Sequence, residues 1–198
     1  MKIGIVSDIH GNVAGLRQAL QTMGDIDELL CCGDSIDEYR FCNETVALLR
    51  EREAHMIHGN HEEVFFSERG RRARERDGHD PDLIAWLGGQ PMRRDTSLGG
   101  KRFVMVHSTP WEPYGEYIQP HSSKMNRFAE LDADFVLYGH THAQVVRAIG
   151  NVTVINPGSA GDGRDRTNNR QLSCALLETA THEVQVFNFP DPRYSAPT

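Results

Sequence analysis

The stretch MKIGIVSDIHGN at residues 1–12 places an apolar strand directly before a polar turn that holds Asp8 and His10. Residues 2–7 have the isoleucine and valine content of a buried strand. Asn12 offers an N-terminal cap for a helix over Val13–Met23, where apolar residues recur at helical spacing. A strand, a turn rich in potential ligands and a helix in this order are typical of one unit of a parallel α/β sheet.

The same order recurs after residue 24, and the second half of the chain adds further strands. A second strand over 28–32, a helix over 40–51 and a third strand over 55–58 predict parallel strands joined by right-handed crossovers. Further strands are predicted over 102–107, 134–138, 144–149, 152–156, 171–178 and 183–189. Two more helices are predicted over 80–87, with Pro81 in its first turn, and over 123–131. These patterns predict an α/β fold of two mixed sheets packed face to face, with helices outside.

Length, charge and cysteine content exclude several classes of protein. A chain of 198 residues predicts a single domain, 1–198. The formal charge of −7 argues against a broad interface for nucleic acid, and no apolar run approaches the ~18 residues of a membrane span. Four cysteines without CxxC spacing, and an N-terminus without the layout of a signal peptide, predict a reducing, cytoplasmic setting. The oligomeric state stays open between a monomer and a homo-oligomer.

Potential metal ligands follow five of the predicted strands, each just beyond the strand's carboxyl end. They are Asp8, His10, Asp34, Asn60, His107, His140 and His142. Each short motif alone is weak, since paired surface histidines are common, but ligands gather at this edge of open α/β sheets. Seven nitrogen and oxygen donors without a thiolate are too many for one tetrahedral zinc and suit two ions such as Mn, Fe, Co, Ni or Zn. Two such ions lower the pKa of a water bound between them, and the hydroxide that forms can attack phosphorus.

The motifs resemble those of the calcineurin-like metallophosphoesterases, in particular the small bacterial and archaeal phosphodiesterases that consist of the core alone. The matching stretches are DIH at 8–10, GDSID at 33–37, GNHE at 59–62, the strand-terminal His107, GHTH at 139–142 and NPGS at 156–159. The resemblance covers most of the chain and implies a four-layer α/β/β/α sandwich. It also implies a phosphoric ester hydrolase that uses two divalent transition-metal ions, with Mn favoured.

The resemblance also implies a role for each matching residue. One metal would be held by Asp8, His10, Asp34 and His142, and the other by Asp34, Asn60, His107 and His140, so that Asp34 is the bridge. His61 would protonate the leaving oxygen without binding metal. Asp37 would support His61, because a carboxylate keeps an imidazole charged and oriented. The alternative interpretation of Asp37 is a turn residue without a catalytic role.

Two positions depart from the pattern of protein Ser/Thr phosphatases. The arginines that clamp phosphate in those enzymes are replaced here by Glu38 and Val64. A phosphoprotein substrate is therefore disfavoured, and a clamp must come from elsewhere. Arg164 is the first choice, and an arginine within 69–76 is the second.

Two further segments carry alternative interpretations. Trp111, Tyr114 and Tyr117 directly follow His107 and predict either a loop held by aromatic packing or a stacking surface for a nucleobase. Residues 68–80 carry five arginines and four acids, which predicts a solvated surface element or a flap that brings arginine to an anionic ligand.

These features predict a phosphodiesterase that acts through a metal-bridging hydroxide on a small phosphodiester or nucleotide. The alternatives are a dinucleoside polyphosphate hydrolase and a phosphomonoesterase of the protein-phosphatase type. A nuclease is less favoured because the chain lacks a basic stripe. A non-catalytic scaffold of the same fold is less favoured because all seven ligands and His61 are present.

Overall fold

The computed structural model describes residues 1–113 and 115–194, and two five-stranded mixed sheets form its frame. The first sheet contains, in spatial order, β10 (Glu183–Phe189), β9 (Leu172–Glu178), β1 (Lys2–Val6), β2 (Glu28–Cys31) and β3 (His55–Met56). The second contains β4 (Arg93–Leu98), β5 (Lys101–Val106), β6 (Phe135–Leu137), β8 (Val152–Asn156) and β7 (Val145–Ile149). Both sheets thus combine parallel and antiparallel pairs.

The parallel pairs align the strand ends that precede the polar motifs. β1, β2 and β3 run parallel, and Val6 lies opposite Cys31 across the first two. In the second sheet β5 and β6 run parallel, with Met105 opposite Leu137. The turns after these strands therefore emerge at the same end of each sheet, where ligands gather in open α/β folds.

The helices lie on the outer faces of the sheets. They are α1 (Val13–Met23), α2 (Asn43–Glu51), α3 (Asn60–Phe66), α4 (Arg71–Arg74), α5 (Pro81–Gly88) and two 3₁₀ helices over Glu68–Gly70 and Ser123–Glu130. The Asn12 side chain caps α1 as predicted, accepting from the Gly15 N–H at 2.9 Å. α2 begins three residues later than predicted because Asp37 and Arg40 pair their backbones in a turn.

Three apolar layers separate four layers of structure. Ile3 and Ile5 pack between the two sheets, whereas Val6 turns to the opposite face and packs against the helices, as the two-residue period of a strand requires. On the far side of the second sheet, Met125 and Phe128 of the 3₁₀ helix cover the outward-facing side chains. The predicted α/β/β/α sandwich is confirmed. Within residues 1–113 and 115–194, every helix is too short or too polar to cross a bilayer.

Candidate metal centre

The backbone of the turns at the strand ends adopts an unfavourable conformation. Left-handed φ angles between 49° and 65° occur at five of the seven candidate ligands, namely Asp8, His10, Asp34, His140 and His142. A residue with a Cβ in this region carries strain of ~1–3 kcal/mol and persists only where its surroundings fix it. The turns therefore hold their side chains inward at a cost to the fold, which is typical of a functional site.

The first group of candidate ligands contains Asp8, His10 and His142. One donor atom from each lies within 4.8 Å of the others, and all three residues are buried. His142 Nε2 lies 3.2 Å from Asp8 Oδ1 and 3.2 Å from His10 Nε2. The three side chains thus surround a space of the size that a single ion occupies.

The second group contains Asp34, His107 and His140, which meet the same 4.8 Å limit and are likewise buried. His107 Nε2 lies 3.2 Å from Asp34 Oδ2 and 3.1 Å from the Asn60 side-chain oxygen. The amide of Asn60 therefore faces the same space as this group.

Asp34 lies between the two groups. It belongs to the second group and also to a set with His10 and His61, so it is within reach of the first. Its Oδ1 accepts the backbone N–H of His61 at 2.9 Å, which orients the carboxylate. Asp34 thus occupies the place that a bridging ligand needs.

Three imidazoles turn the same nitrogen toward the centre. Nδ1 of His107 donates to the Cys32 carbonyl at 2.7 Å, and Nδ1 of His142 donates to the Asp162 carbonyl at 2.7 Å. Nδ1 of His10 lies 3.4 Å from the carboxylate of Asp37. Outer partners of this kind hold a metal-binding histidine in the tautomer whose Nε2 lone pair is available.

His61 has the opposite arrangement. Its Nδ1 accepts the backbone N–H of Glu38 at 3.1 Å, so in the neutral ring the proton sits on Nε2. Nε2 points toward the centre and lies 3.8 Å from Asp34 Oδ2. A nitrogen that carries its proton donates a hydrogen bond and does not bind a metal ion.

The prediction for Asp37 differs from the contacts that the structure shows. Asp37 was expected to support His61, yet its carboxylate contacts His10 and the guanidinium of Arg40. The backbone of the next residue, Glu38, takes the predicted place beside His61. The turn at 37–40 thus orients both histidines, through a side chain in one case and an N–H in the other.

Glu62 holds two of the ligand turns together. This buried carboxylate accepts the backbone N–H groups of Asp34, Ser35 and Gly59 at 2.7–2.9 Å, and also the hydroxyl of Ser35. At Gly59 only a glycine fits, because an added Cβ would overlap Asp34. No role was predicted for Glu62, although a charged residue two positions after Asn60, and two positions before the apolar residues 64–66, was the available signal.

The NPGS stretch braces the other two turns. Asn156 donates to the Gly139 carbonyl at 2.8 Å, and Ser159 donates to the Asp8 carbonyl at 2.7 Å. Ser7 in turn donates to Asp8 Oδ2 at 2.6 Å. These polar side chains are buried and have their hydrogen bonds satisfied within the turns, so they determine where the ligands point.

The buried carboxylates and imidazoles shift one another's proton affinity. Burial would raise the pKa of Asp8 and of Asp34, but the attraction of His142 for the former and of His107 for the latter lowers both below their usual range. Burial would lower the pKa of His107, but Asp34 raises it to about 10. Burial, and then the charge of His107, lower the pKa of His140 to about 4. Without a metal, a proton on His107 balances the carboxylates.

The donor set fits divalent cations. Lone pairs of His10 and His142 face each other at 3.2 Å, an arrangement that a cation or a proton between them must relieve. Among the residues that the structure describes, Asp8 Oδ1 and His140 Nε2 are buried and have no hydrogen-bond partner. Buried polar atoms are rarely left unpaired, and a bound ion accounts for the Asp8 oxygen.

The predicted substrate-binding residues lie in different surroundings. Trp111 donates from Nε1 to Glu116 at 2.6 Å, and its ring lies under the Arg127 guanidinium, so it packs within its own loop. Arg164 is exposed and binds the carboxylate of Asp162, whose carbonyl anchors His142. Tyr114 lies outside the described residues.

Residues 68–80 form a packed surface element rather than an extended loop. Arg71 pairs with Glu68 and Glu75, and Ala73 is buried. Arg76 donates to the Tyr39 carbonyl at 3.2 Å and lines a cavity together with His61. Both interpretations of the segment thus keep some support, since Arg76 lines a cavity with His61 while Arg71 lies on the exposed surface.

Comparisons with known proteins identify the family of the chain. A family model described as the calcineurin-like phosphoesterase superfamily domain matches residues 1–182. Two proteins of Methanocaldococcus jannaschii are similar: the uncharacterized protein MJ0912, 25% identical over 93% of this chain and 85% of its own, and the phosphodiesterase MJ0936, 24% identical over 80% and 83%. A metallophosphoesterase from Sphaerobacter thermophilus has the same fold, with a TM-score of 0.77 and 23% identity over 96% of this chain and 89% of that one. With five ligand motifs in order on this fold, the chain belongs to the calcineurin-like phosphoesterase superfamily.

Proposed function

We propose that the chain is a phosphodiesterase that requires two divalent transition-metal ions and acts on small nucleotide-containing diesters. One observation carries the proposal: two buried groups of ligands lie side by side, and Asp34 stands between them. A monoesterase of the protein-phosphatase type is disfavoured because Glu38 and Val64 occupy the positions of its clamping arginines.

The two groups define which residues would hold each ion. Asp8, His10, Asp34 and His142 would bind one, and Asp34, Asn60, His107 and His140 the other. Bound there, two ions supply an acidified water and positive charge opposite the phosphoryl oxygens. Nitrogen and oxygen donors without a thiolate suit Mn, Fe, Co, Ni or Zn, and we propose Mn as the first ion for reconstitution.

The remaining residues orient the substrate and move a proton. His61 presents a protonated Nε2 toward the centre and would donate it to the leaving oxygen, with the Glu38 N–H fixing the ring. Asp37 would keep the Nε2 lone pair of His10 directed inward. Arg164 would supply a positive charge at the mouth of the site, because it is exposed and tethered next to the anchor of His142.

Metal analysis tests the ligand assignment. After reconstitution with Mn, the chain is expected to hold close to two ions, and Asp34→Asn should weaken both sites because it changes the shared ligand. Asp25→Asn, at an exposed acid outside the centre, is the matched control and should keep both ions. Full occupancy of both sites in Asp34→Asn would refute the assignment.

A substrate panel on the metal-loaded protein tests the activity. The panel contains bis(p-nitrophenyl) phosphate, a cyclic nucleotide, a dinucleoside tetraphosphate, p-nitrophenyl phosphate and a phosphoserine peptide. We expect kcat/KM for nucleotide diesters or anhydrides to exceed that for the peptide by at least about tenfold, or ~1.4 kcal/mol. Efficient turnover of the peptide, with nucleotide substrates ignored, would overturn the proposal.

A further inference from the structure

Tyr117 places an exposed aromatic ring directly beside the candidate metal centre. Its ring stacks on that of His140, with centroids 3.8 Å apart and planes at 27°. Even so, 57% of the residue is exposed to solvent. One face of the phenol ring is covered by His140, so the exposed surface includes the other face, which is free to stack on a planar group.

The loop holds Tyr117 in place from both sides. On one side, the carbonyl of Glu116 accepts the hydroxyl of Ser108, and the carboxylate of Glu116 binds Trp111. On the other, Ile118 is buried and its carbonyl accepts the Tyr138 hydroxyl at 3.0 Å. Because the ring is already ordered, a ligand that stacks on it loses little free energy to loop ordering.

The segment that follows Tyr117 lines a cavity. Its volume is about 510 Å³, within the ~300–1,000 Å³ typical of small-molecule sites. Residues 119–121, two to four positions after Tyr117, line one side, and Ala143 and Gln144, which follow His142, line another. The two segments that carry Tyr117 and His142 thus continue into the walls of this cavity.

His61 lines a different cavity. That cavity, of about 340 Å³, contains Tyr39 and Arg76 but none of the residues around Tyr117. A leaving group that takes its proton from His61 would depart through the cavity that His61 lines. The cavity beside Tyr117 is thus available to the group that remains on phosphorus.

We propose that Tyr117 and the adjoining cavity bind the base of a nucleoside group that stays attached to the phosphorus. The proposal rests on the proposed phosphodiesterase function and names its substrate class. In the reaction, the P–O bond to the leaving group breaks and the oxygen of water forms the new P–O bond. One proton of the water ends on the leaving oxygen and the other on the monoester. The products are a nucleoside monophosphate and an alcohol.

Two diesters with the same leaving group isolate this effect. Thymidine 5′-(p-nitrophenyl phosphate) and ethyl p-nitrophenyl phosphate both release p-nitrophenol, so they differ only in the group that is retained. We expect the metal-loaded protein to favour the thymidine ester by at least about tenfold in kcat/KM. Tyr117→Leu should reduce this ratio to about twofold or less, and Tyr117→Phe should preserve it. Tyr39→Leu, at an exposed tyrosine in the other cavity, is the matched control and should leave the ratio unchanged.

Several outcomes would overturn the proposal. An equal loss on both esters in Tyr117→Leu, with the ratio preserved, would show that Tyr117 only supports His140. A wild-type protein without preference for the thymidine ester would exclude the base site directly.

Binding of the product gives a second measurement that does not depend on turnover. Calorimetry should show thymidine 5′-monophosphate binding the metal-loaded protein at least about fivefold more weakly after Tyr117→Leu, with inorganic phosphate unaffected. If neither ester is hydrolysed, the proposed function fails, while equal affinity of wild type and variant for the nucleotide would refute the base site by itself.

Discussion

The candidate metal centre and the rim around it are held in place by different forces. Six of the seven candidate ligands are buried, five have left-handed backbone, and buried side chains such as Glu62 and Asn156 fix their turns. The rim segment over residues 68–80 relies more on exposed ion pairs such as Arg71 with Glu68. Exposed pairs contribute only about 0–1 kcal/mol each. The contrast teaches that the reacting centre tolerates little change, whereas the surface that selects a substrate can vary at small cost.

Removal of Glu62 should have the largest effect, because Glu62 holds the ligand turns of the centre together. Glu62→Ala leaves several buried backbone N–H groups without an acceptor, at a cost of about 1–3 kcal/mol each. We expect the free energy of unfolding of the metal-free protein to fall by more than about 3 kcal/mol, measured by denaturant titration, and metal binding to be lost. Glu63→Ala, at the exposed neighbouring residue, should change it by less than about 0.5 kcal/mol. Similar values for the two variants would remove the distinction.

Loss of His61 separates catalysis from metal binding within the centre. His61→Ala should lower kcat by roughly 10²–10⁴-fold, the range for general acid–base catalysis, while metal content stays unchanged. The loss should be smaller for nitrophenyl esters than for alkyl esters, because nitrophenolate needs little protonation. An equal loss for both leaving groups would exclude proton donation by His61.

The protonation of His107 should make metal binding at the centre depend on pH. Asp34 raises the pKa of His107 to about 10, so at pH 7 a metal ion must displace its proton. Because binding releases this proton, metal affinity should rise by about tenfold or more per pH unit between pH 7 and 9. In the metal-free protein, the stability gained from the His107 pair is complete below about pH 6.5 and is lost as pH rises through about 10.

Calorimetric titration with metal between pH 7 and 9 measures how metal affinity changes with pH. His107→Gln should flatten the slope by about one proton, whereas His55→Gln, at a histidine paired with Glu28 outside the centre, should not change it. A slope of zero in the unmodified protein would show that His107 is already neutral.

The outer partner of His10 should have an intermediate effect. Asp37→Asn removes the carboxylate beside Nδ1, and such partners typically contribute 10- to 100-fold in metal affinity. Competition with a chelator measures this loss. An effect on kcat for alkyl esters without any change in metal affinity would instead return Asp37 to the role beside His61 that the sequence suggested.

The rim should give the smallest effect. Arg71→Ala removes the contacts with Glu68 and Glu75, and the free energy of unfolding should fall by less than about 1 kcal/mol. Thermal unfolding with and without added salt is the measurement. A larger loss would place the segment among the rigid parts of the molecule.

The fold and the ligand positions could be predicted because each motif directly follows an apolar strand. β4 was not predicted, since its first residues, Arg93, Arg94 and Asp95, lack apolar alternation, and it forms through pairing with β5. The partner of Asp37 could not be predicted either, because it depends on how the turn at 37–40 folds back. Tyr117 was one of three aromatic candidates in the sequence, and only the packing of the loop distinguishes it from Trp111.

The position of β1 has a consequence for how the chain is made. β1 precedes the other described strands along the chain, yet it lies in the middle of its sheet, between β2 and β9. At synthesis rates of ~5–20 residues per second, one of its edges stays open for on the order of 10–30 s before β9 emerges. An open apolar edge is a template for association with other chains. A chain stopped before residue 172 would carry every candidate ligand and still expose this edge of β1 to association. β9 and β10 thus protect the edge of a sheet whose centre receives no ligand from them.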